Sequence, residues 1–211
     1  FKKIALRGVL LVLLGIYFYG GLSRPWPDVR LLGVLQYIGL ACLFGGILYI
    51  AARRARVIAA VCVSMLLGYW ALMEFVPFPD LKVDKDSLQK TVVKVGSPDP
   101  AKVVRSASGK VRGHYEEGYN LSNYVDYRYL PGKKINGAYE NQPLLGIMGA
   151  VAACLLGLLA GMWLRRTDVS DKRKTAGLLA AGVAGVAIGF LWGLQFPVVK
   201  KHWSSSFVLV A

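Results

Sequence analysis

The chain has 211 residues, 55% of them apolar, and 26 Lys and Arg against 12 Asp and Glu give a formal net charge of +14. The apolar residues fall into runs long enough to cross a bilayer, which excludes an ordinary soluble core. The cations cluster at the ends of those runs, where they set topology, so the charge does not signal nucleic acid.

The runs cover residues 4–22, 31–52, 57–78, 144–164 and 176–196, and a sixth begins near Ser205 and stops at Ala211. The reading is an all-α polytopic helical bundle of five complete transmembrane helices and the start of a sixth. It divides into three spans over 1–78, an insert over 79–143, and two spans with the start of a third over 144–211. Phe1 and Ala211 read as arbitrary ends of a longer chain. Lys2 and Lys3 precede the first span, and nothing ahead of it resembles a cleaved signal peptide. Arg53, Arg54 and Arg56 follow the second span. Arg165, Arg166, Lys172, Arg173 and Lys174 follow the fourth. The positive-inside rule puts both loops and the N-terminal end in the cytoplasm, and the insert outside.

Pro77 and Pro79 end the third span, because proline cannot continue a helical ladder. The insert holds 11 Lys and Arg and 8 Asp and Glu, a solvated mixture. Residues 82–113 read as loop, with a short hairpin of 103–107 against 110–114 turning at Ser108-Gly109. Residues 121–130 read as a short helix on the membrane surface, ended by Pro131-Gly132. Asn120-Leu121-Ser122 fits a glycosylation sequon. Two spans carry small residues every three or four positions: Gly146, Ala150, Ala153 and Gly157 in the fourth, and Gly177, Ala181, Gly185 and Gly189 in the fifth. Such stripes let helices approach closely.

Polar residues within or beside the spans are the places to look for chemistry. Cys42, Cys62 and Cys154 read as buried free thiols, and no cluster has metal-ligand spacing. Glu74 is either an interfacial anchor or a functional acid. Arg7 is within snorkelling reach of the inner surface. Arg30 and Gln36 open the second span; they line a polar vestibule, or they serve a helix start and an interhelical hydrogen bond. The run 200–207, KKHWSSSF, gathers two cations, an imidazole, an indole and three hydroxyls. It favours phosphate or carboxylate, or it is an interfacial Lys/Trp belt. His114 and His202 are the two histidines, and neither has a base-partner at motif spacing.

Three segments taken together, RLLGVLQYIG at 30–39, the stretch 120–164 beginning NLSNYVDYRYLPG, and VVKKHWSSSF at 198–207, are similar to a known pattern. They resemble the bacterial relatives of heparan-alpha-glucosaminide N-acetyltransferase, a family of multi-span membrane acyltransferases. Its motifs run approximately R-[IL]-x-G-V-L-Q-R-I, N-x-x-x-Y-x-D-x-x-x-L-P-G, Y-D-P-E-G-L-L-S-T and N-K-x-L-W-T-S-S-F. Pro77-Phe78-Pro79 resembles its V-P-x-P exit. The chain departs from the family at Tyr37, at Glu140-Asn141-Gln142-Pro143, at Val199 and at His202. The family's catalytic histidine belongs to preceding spans, near an H-A-x-W-x-G-L type motif that is not in this sequence.

The resemblance implies transfer of an acetyl group from acetyl-CoA to an amino sugar across a bacterial inner membrane, with the insert periplasmic. It implies no metal and assigns no catalytic residue to this segment. Arg30, Gln36, Lys200, Trp203 and Ser205 are expected to line the transfer cavity, and Asp126 and Glu140 to meet the sugar amine. Membrane lipid and a homodimer or larger complex are the expected partners, and nucleic acid is not. Two other functions fit the same spans: a non-catalytic subunit of a larger complex, and a transporter subunit.

Overall fold

The computed structural model describes every residue except Phe1, Leu22, Arg24, Trp26 and Pro27. Helix α1 spans Lys2–Phe18, α2 Val34–Ala52 and α3 Ala55–Phe75. After the insert, a single 3-10 turn leads into α7, Ile147–Leu164. Then come α8, Asp171–Gly193, and the short α9, Ser205–Val210. Among the described residues, four segments are long and apolar enough to cross a membrane: α2, α3, Leu144–Leu164 and α8. The chain is therefore an integral membrane protein, mostly helical.

The expected first span is shorter than its apolar run. Helix α1 has 17 residues, about 25 Å at 1.5 Å per residue. The chain turns at Gly20, whose φ is +82°, and Leu22 lies outside the described residues. A hydrocarbon core is about 30 Å thick, so α1 sits at the short end of the lengths that cross it.

Helix α7 is the hub. It packs against both α2 and α3, while α1 lies on α2 and α8 lies on α9. The bundle core gathers Tyr37, Ile58, Cys62, Leu66, Ala152 and Leu155. Helices α2 and α3 are joined by a tight loop whose Arg53 takes a left-handed φ of +47°. The outer faces stay apolar: Leu179, Val183, Ile188, Phe190 and Leu191 of α8 are all exposed. In water such a surface would be an aggregation liability; in hydrocarbon it is the ordinary solvent boundary.

The insert is a folded cap, not a loop. Asp84 caps α4 (Lys85–Val95) by accepting from the Ser87 N–H at 2.9 Å, and Gly96 closes it at φ +68°. Asp99 caps α5 (Pro100–Arg105) by accepting from the Ala101 N–H at 2.9 Å. Leu81, Val83, Val103, Tyr127, Ala138 and Tyr139 form its own core. The expected hairpin of 103–107 with 110–114 does not form, because Val103 is fully buried in α5. Lys110–Val111 (β2) instead pairs antiparallel with Phe78–Pro79 (β1) at the end of α3. A second pair, Tyr115–Glu116 (β3) with Tyr119–Asn120 (β4), turns through Glu117-Gly118, with Gly118 at φ +73°.

Helix α6, Leu121–Tyr129, forms where expected and ends before Pro131. It does not lie free on a membrane surface, because Leu121, Ser122, Asn123, Asp126 and Tyr127 are all buried between cap and bundle. The sequon is likewise closed: Asn120 is 1% exposed and caps α6, accepting from the Asn123 N–H at 2.9 Å. Of the three thiols, Cys62 is buried, Cys154 half-buried and Cys42 exposed, so the expectation of three buried cysteines fails at Cys42.

Candidate functional site

A cavity of about 750 Å³ opens where α2, α7 and the cap meet. Helix α2 supplies Val34, Tyr37, Ile38, Ala41 and Cys42; helix α7 supplies Ala150, Ala153 and Cys154. Its mouth is polar, with the Asn141 and Gln142 amides on one side and Lys200, Lys201 and Trp203 on the other. Size, apolar walls and a few converging polar groups are the features of a small-molecule site.

The turn carrying Lys200 and Trp203 is tightly held. Trp203 takes a left-handed φ of +50°, a conformation disfavoured for a bulky L-residue by about 1–2 kcal/mol. The surroundings enforce it. The Tyr69 hydroxyl donates to the His202 carbonyl at 2.7 Å. Gly149 of α7 lies so close to the Trp203 carbonyl that a Cβ would collide with it. Tyr37 donates to the Pro143 carbonyl, tying the other rim to α2. The Tyr37 and Trp203 rings lie side by side, tilted at 44° with centroids 6.2 Å apart. Lys201 pairs with Glu117 at 2.7 Å, whereas Lys200 has no ion-pair partner among the described residues.

The serines that follow are structural. Ser204 Oγ accepts from the Val199 N–H at 3.0 Å and from the Phe207 N–H at 3.3 Å. Ser205 is fully buried and donates to the Leu66 carbonyl at 2.7 Å. Ser206 donates to the Pro197 carbonyl at 3.1 Å. The proposed anion site at this helix start therefore loses its hydroxyls to the backbone, and Ser205 is not on the cavity wall.

Arg30, Glu140 and Asp126 form a polar brace behind the rim. Arg30 Nε donates to Glu140 Oε1 at 2.8 Å and Nη2 to Oε2 at 2.7 Å. The guanidinium also sits over the Tyr19 ring, 4.4 Å from its centroid. Asp126 is fully buried; its carboxylate accepts the Glu140 N–H at 3.0 Å and the Leu144 N–H at 2.8 Å. Both ends of the segment bearing Asn141 and Gln142 are thus fixed by one side chain. Burial, with Glu140 nearby, pushes the Asp126 carboxyl up to about 7 against the pull of those two N–H groups. Burial also raises Glu140, opposed by Arg30.

Arg30 opens onto a different, shallower hollow beside Tyr19 and Lys134. Gln36 is fully buried and its amide has no hydrogen-bond partner among the described residues; it lies against Gly15 and Gly33. The structure therefore brings Lys200 and Trp203 together at one cavity, places Arg30, Glu140 and Asp126 behind its rim, and puts Gln36 and Ser205 in helix packing. Glu74 receives the Tyr115 hydroxyl at the α3 end, away from the cavity. His202 is 4% exposed, with Nε2 3.4 Å from the Asn120 amide nitrogen. Burial pushes its pKa down to about 4. Its ring is turned into the cap and does not line the cavity.

Tyr37, Asn141 and Gln142 are polar cavity residues that sequence reading did not select as site residues. Tyr37 and the tetrapeptide 140–143 stand where the chain departs from the family pattern, and that divergence was the available signal. Comparison with models of known protein families and with curated proteins finds no match to this chain.

Proposed function

We propose that this chain is the acceptor-side part of a membrane acyltransferase that moves an acetyl group from acetyl-CoA to an amino sugar. The observation that carries the reading is the cavity at the cap–bundle junction, walled by apolar helix faces and rimmed by Lys200, Trp203, Asn141 and Gln142. Amides and an indole suit a sugar ring, and a rigid rim suits orientation of a nucleophile. The segment resemblance to the acyltransferase family points to the same rim.

In this reading α1 completes a fifth span together with the turn that follows it. The N-terminal end and the Arg53–Arg56 and Arg165–Lys174 loops face the cytoplasm of a bacterial cell, and the cap faces the periplasm. The brace of Arg30, Glu140 and Asp126 positions the rim and does not itself meet the amine. The resemblance assigns neither the base nor the donor path to a residue of this segment, and a homodimer or larger complex is compatible with the exposed α8 face. The test is acetyl transfer from labelled acetyl-CoA to glucosamine by the full-length protein in nanodiscs. Transfer that falls in Lys200→Ala and Trp203→Ala supports the reading. A folded parent that neither binds acetyl-CoA nor acetylates any amino sugar refutes it.

A further inference from the structure

The cavity is open sideways as well as at its mouth. Val34, Ile38 and Cys42 stand four residues apart on one face of α2, line the cavity, and are all exposed. That face runs eight residues down the helix, about 12 Å, close to the depth of one leaflet of a core about 30 Å thick. Its floor is the waist at Cys154, whose Sγ would lie 2.9 Å from a Cβ placed on Gly45 of α2. Ala150 and Ala153 keep the α7 wall flat. At the mouth stands Lys200, exposed and without an ion-pair partner among the described residues, while Lys201 is neutralised by Glu117.

An apolar slot one leaflet deep, open to the bilayer along its length and topped by one free cation, two amides and an indole, matches one kind of molecule. We propose that the cavity binds an anionic amphiphile that enters laterally from the bilayer, its hydrocarbon chain against α2 and α7 and its charged headgroup at Lys200. Resting on the transferase reading, this makes the acceptor an amino sugar carried on a lipid and not a free sugar. A free sugar would leave the apolar slot filled only by bulk lipid, and a free anion would have no use for it.

The slot carries its own reporter. Cys42 is exposed within it, whereas Cys62 is buried and donates to the Ala152 carbonyl at 3.5 Å. The full-length protein in nanodiscs is treated with N-ethylmaleimide, and alkylation at each cysteine is read by peptide mass spectrometry. Dodecyl phosphate should slow alkylation of Cys42 and leave Cys62 unchanged. In Lys200→Ala the concentration needed should rise about tenfold, the effect of losing one charge-assisted contact. Ala153→Phe, which fills the slot, should slow alkylation without any probe and abolish the response.

Equal protection by dodecyl maltoside overturns headgroup recognition. Equal protection by inorganic phosphate overturns the amphiphile in favour of a free anion. If neither Cys42 nor the thiol introduced by Val34→Cys, nearer the mouth where a thiol ionises, is alkylated in a folded protein, the slot is covered by protein and the proposal is overturned. No acetyl-CoA is present in this assay, so the two readings separate. Acetylation of glucosamine without dodecyl phosphate protection refutes the amphiphile alone. Protection without transfer to any amino sugar refutes the transferase and leaves the amphiphile site standing.

Discussion

Helices α7 and α8 look alike in sequence, each apolar and striped with small residues, yet the fold uses them in opposite ways. Helix α7 is buried between α2 and α3, and Gly149, Ala150, Val151, Ala152 and Leu155 are all inside. Helix α8 buries only Gly189, against α9. A small-residue stripe permits close approach without saying what approaches. What separates the two is the polar chemistry at their ends. Asp126 holds the Leu144 N–H at the entry to α7, whereas α8 begins with a cationic, exposed turn.

The sharpest way to break that contrast is to remove the charge pair behind the α7 entry. Arg30→Ala leaves Glu140 buried without its partner, a change that in folded proteins costs about 3–5 kcal/mol; a drop in thermal stability in nanodiscs should be far larger than for Arg166→Ala in the exposed loop. Next, Gly149→Ala drives a Cβ into the Trp203 carbonyl and should cost about 1–3 kcal/mol by overpacking. The same change at Gly182 of α8, which meets nothing within 4 Å, should be neutral or slightly stabilising, since alanine is the better helix former.

Two pH effects of opposite sign refine the picture. Asp126 titrates near 7 in the fold and near 3.8 unfolded, so between those values the folded state holds more protons. Its contribution is complete below the unfolded value and is lost as pH rises through about 7. His202 titrates near 4 in the fold and near 6.5 unfolded, so its contribution is lost as pH falls from about 6.5 towards 4. Because the windows overlap, the two opposite slopes largely offset each other between about pH 4 and 6.5, and the parent's melting temperature should change little on their account. Asp126→Asn should unmask a stability that rises with pH from about 4 to 6.5, and His202→Leu one that falls as pH rises towards 7. Single variants that both stay flat from about pH 4 to 7 would contradict both assignments.

What the sequence made legible followed from local chemistry. Pro77 marked the end of α3, Pro131-Gly132 the end of α6, and apolar run length marked α2, α3, α7 and α8. The cap was missed because its helices are polar and short, although Asp84 with Gly96, and Asp99 with Pro100, were readable start and stop signals. The hairpin turning at Glu117-Gly118 was not legible, because Glu-Gly is not one of the dipeptides that mark a two-residue hairpin. The site was harder. Lys200 and Trp203 could be picked by residue type and resemblance. The Arg30–Glu140 pair is 110 residues apart and His202–Asn120 is 82 apart, and no spacing rule reaches that far. Ser205 and Gln36 looked functional because hydroxyls and amides in apolar runs need partners; Ser205 found a backbone carbonyl and Gln36 found helix packing.

The most direct test of the transfer cavity compares two lysines of equal charge in the full-length protein. Acetyl transfer from acetyl-CoA is measured for Lys200→Ala at the rim and for Lys172→Ala in the first turn of α8, at the opposite end. A loss of about tenfold or more in kcat/KM for Lys200→Ala, with Lys172→Ala unchanged, is the predicted result. Equal activity in both variants, with both folded, would contradict the cavity as the place where the acceptor is held.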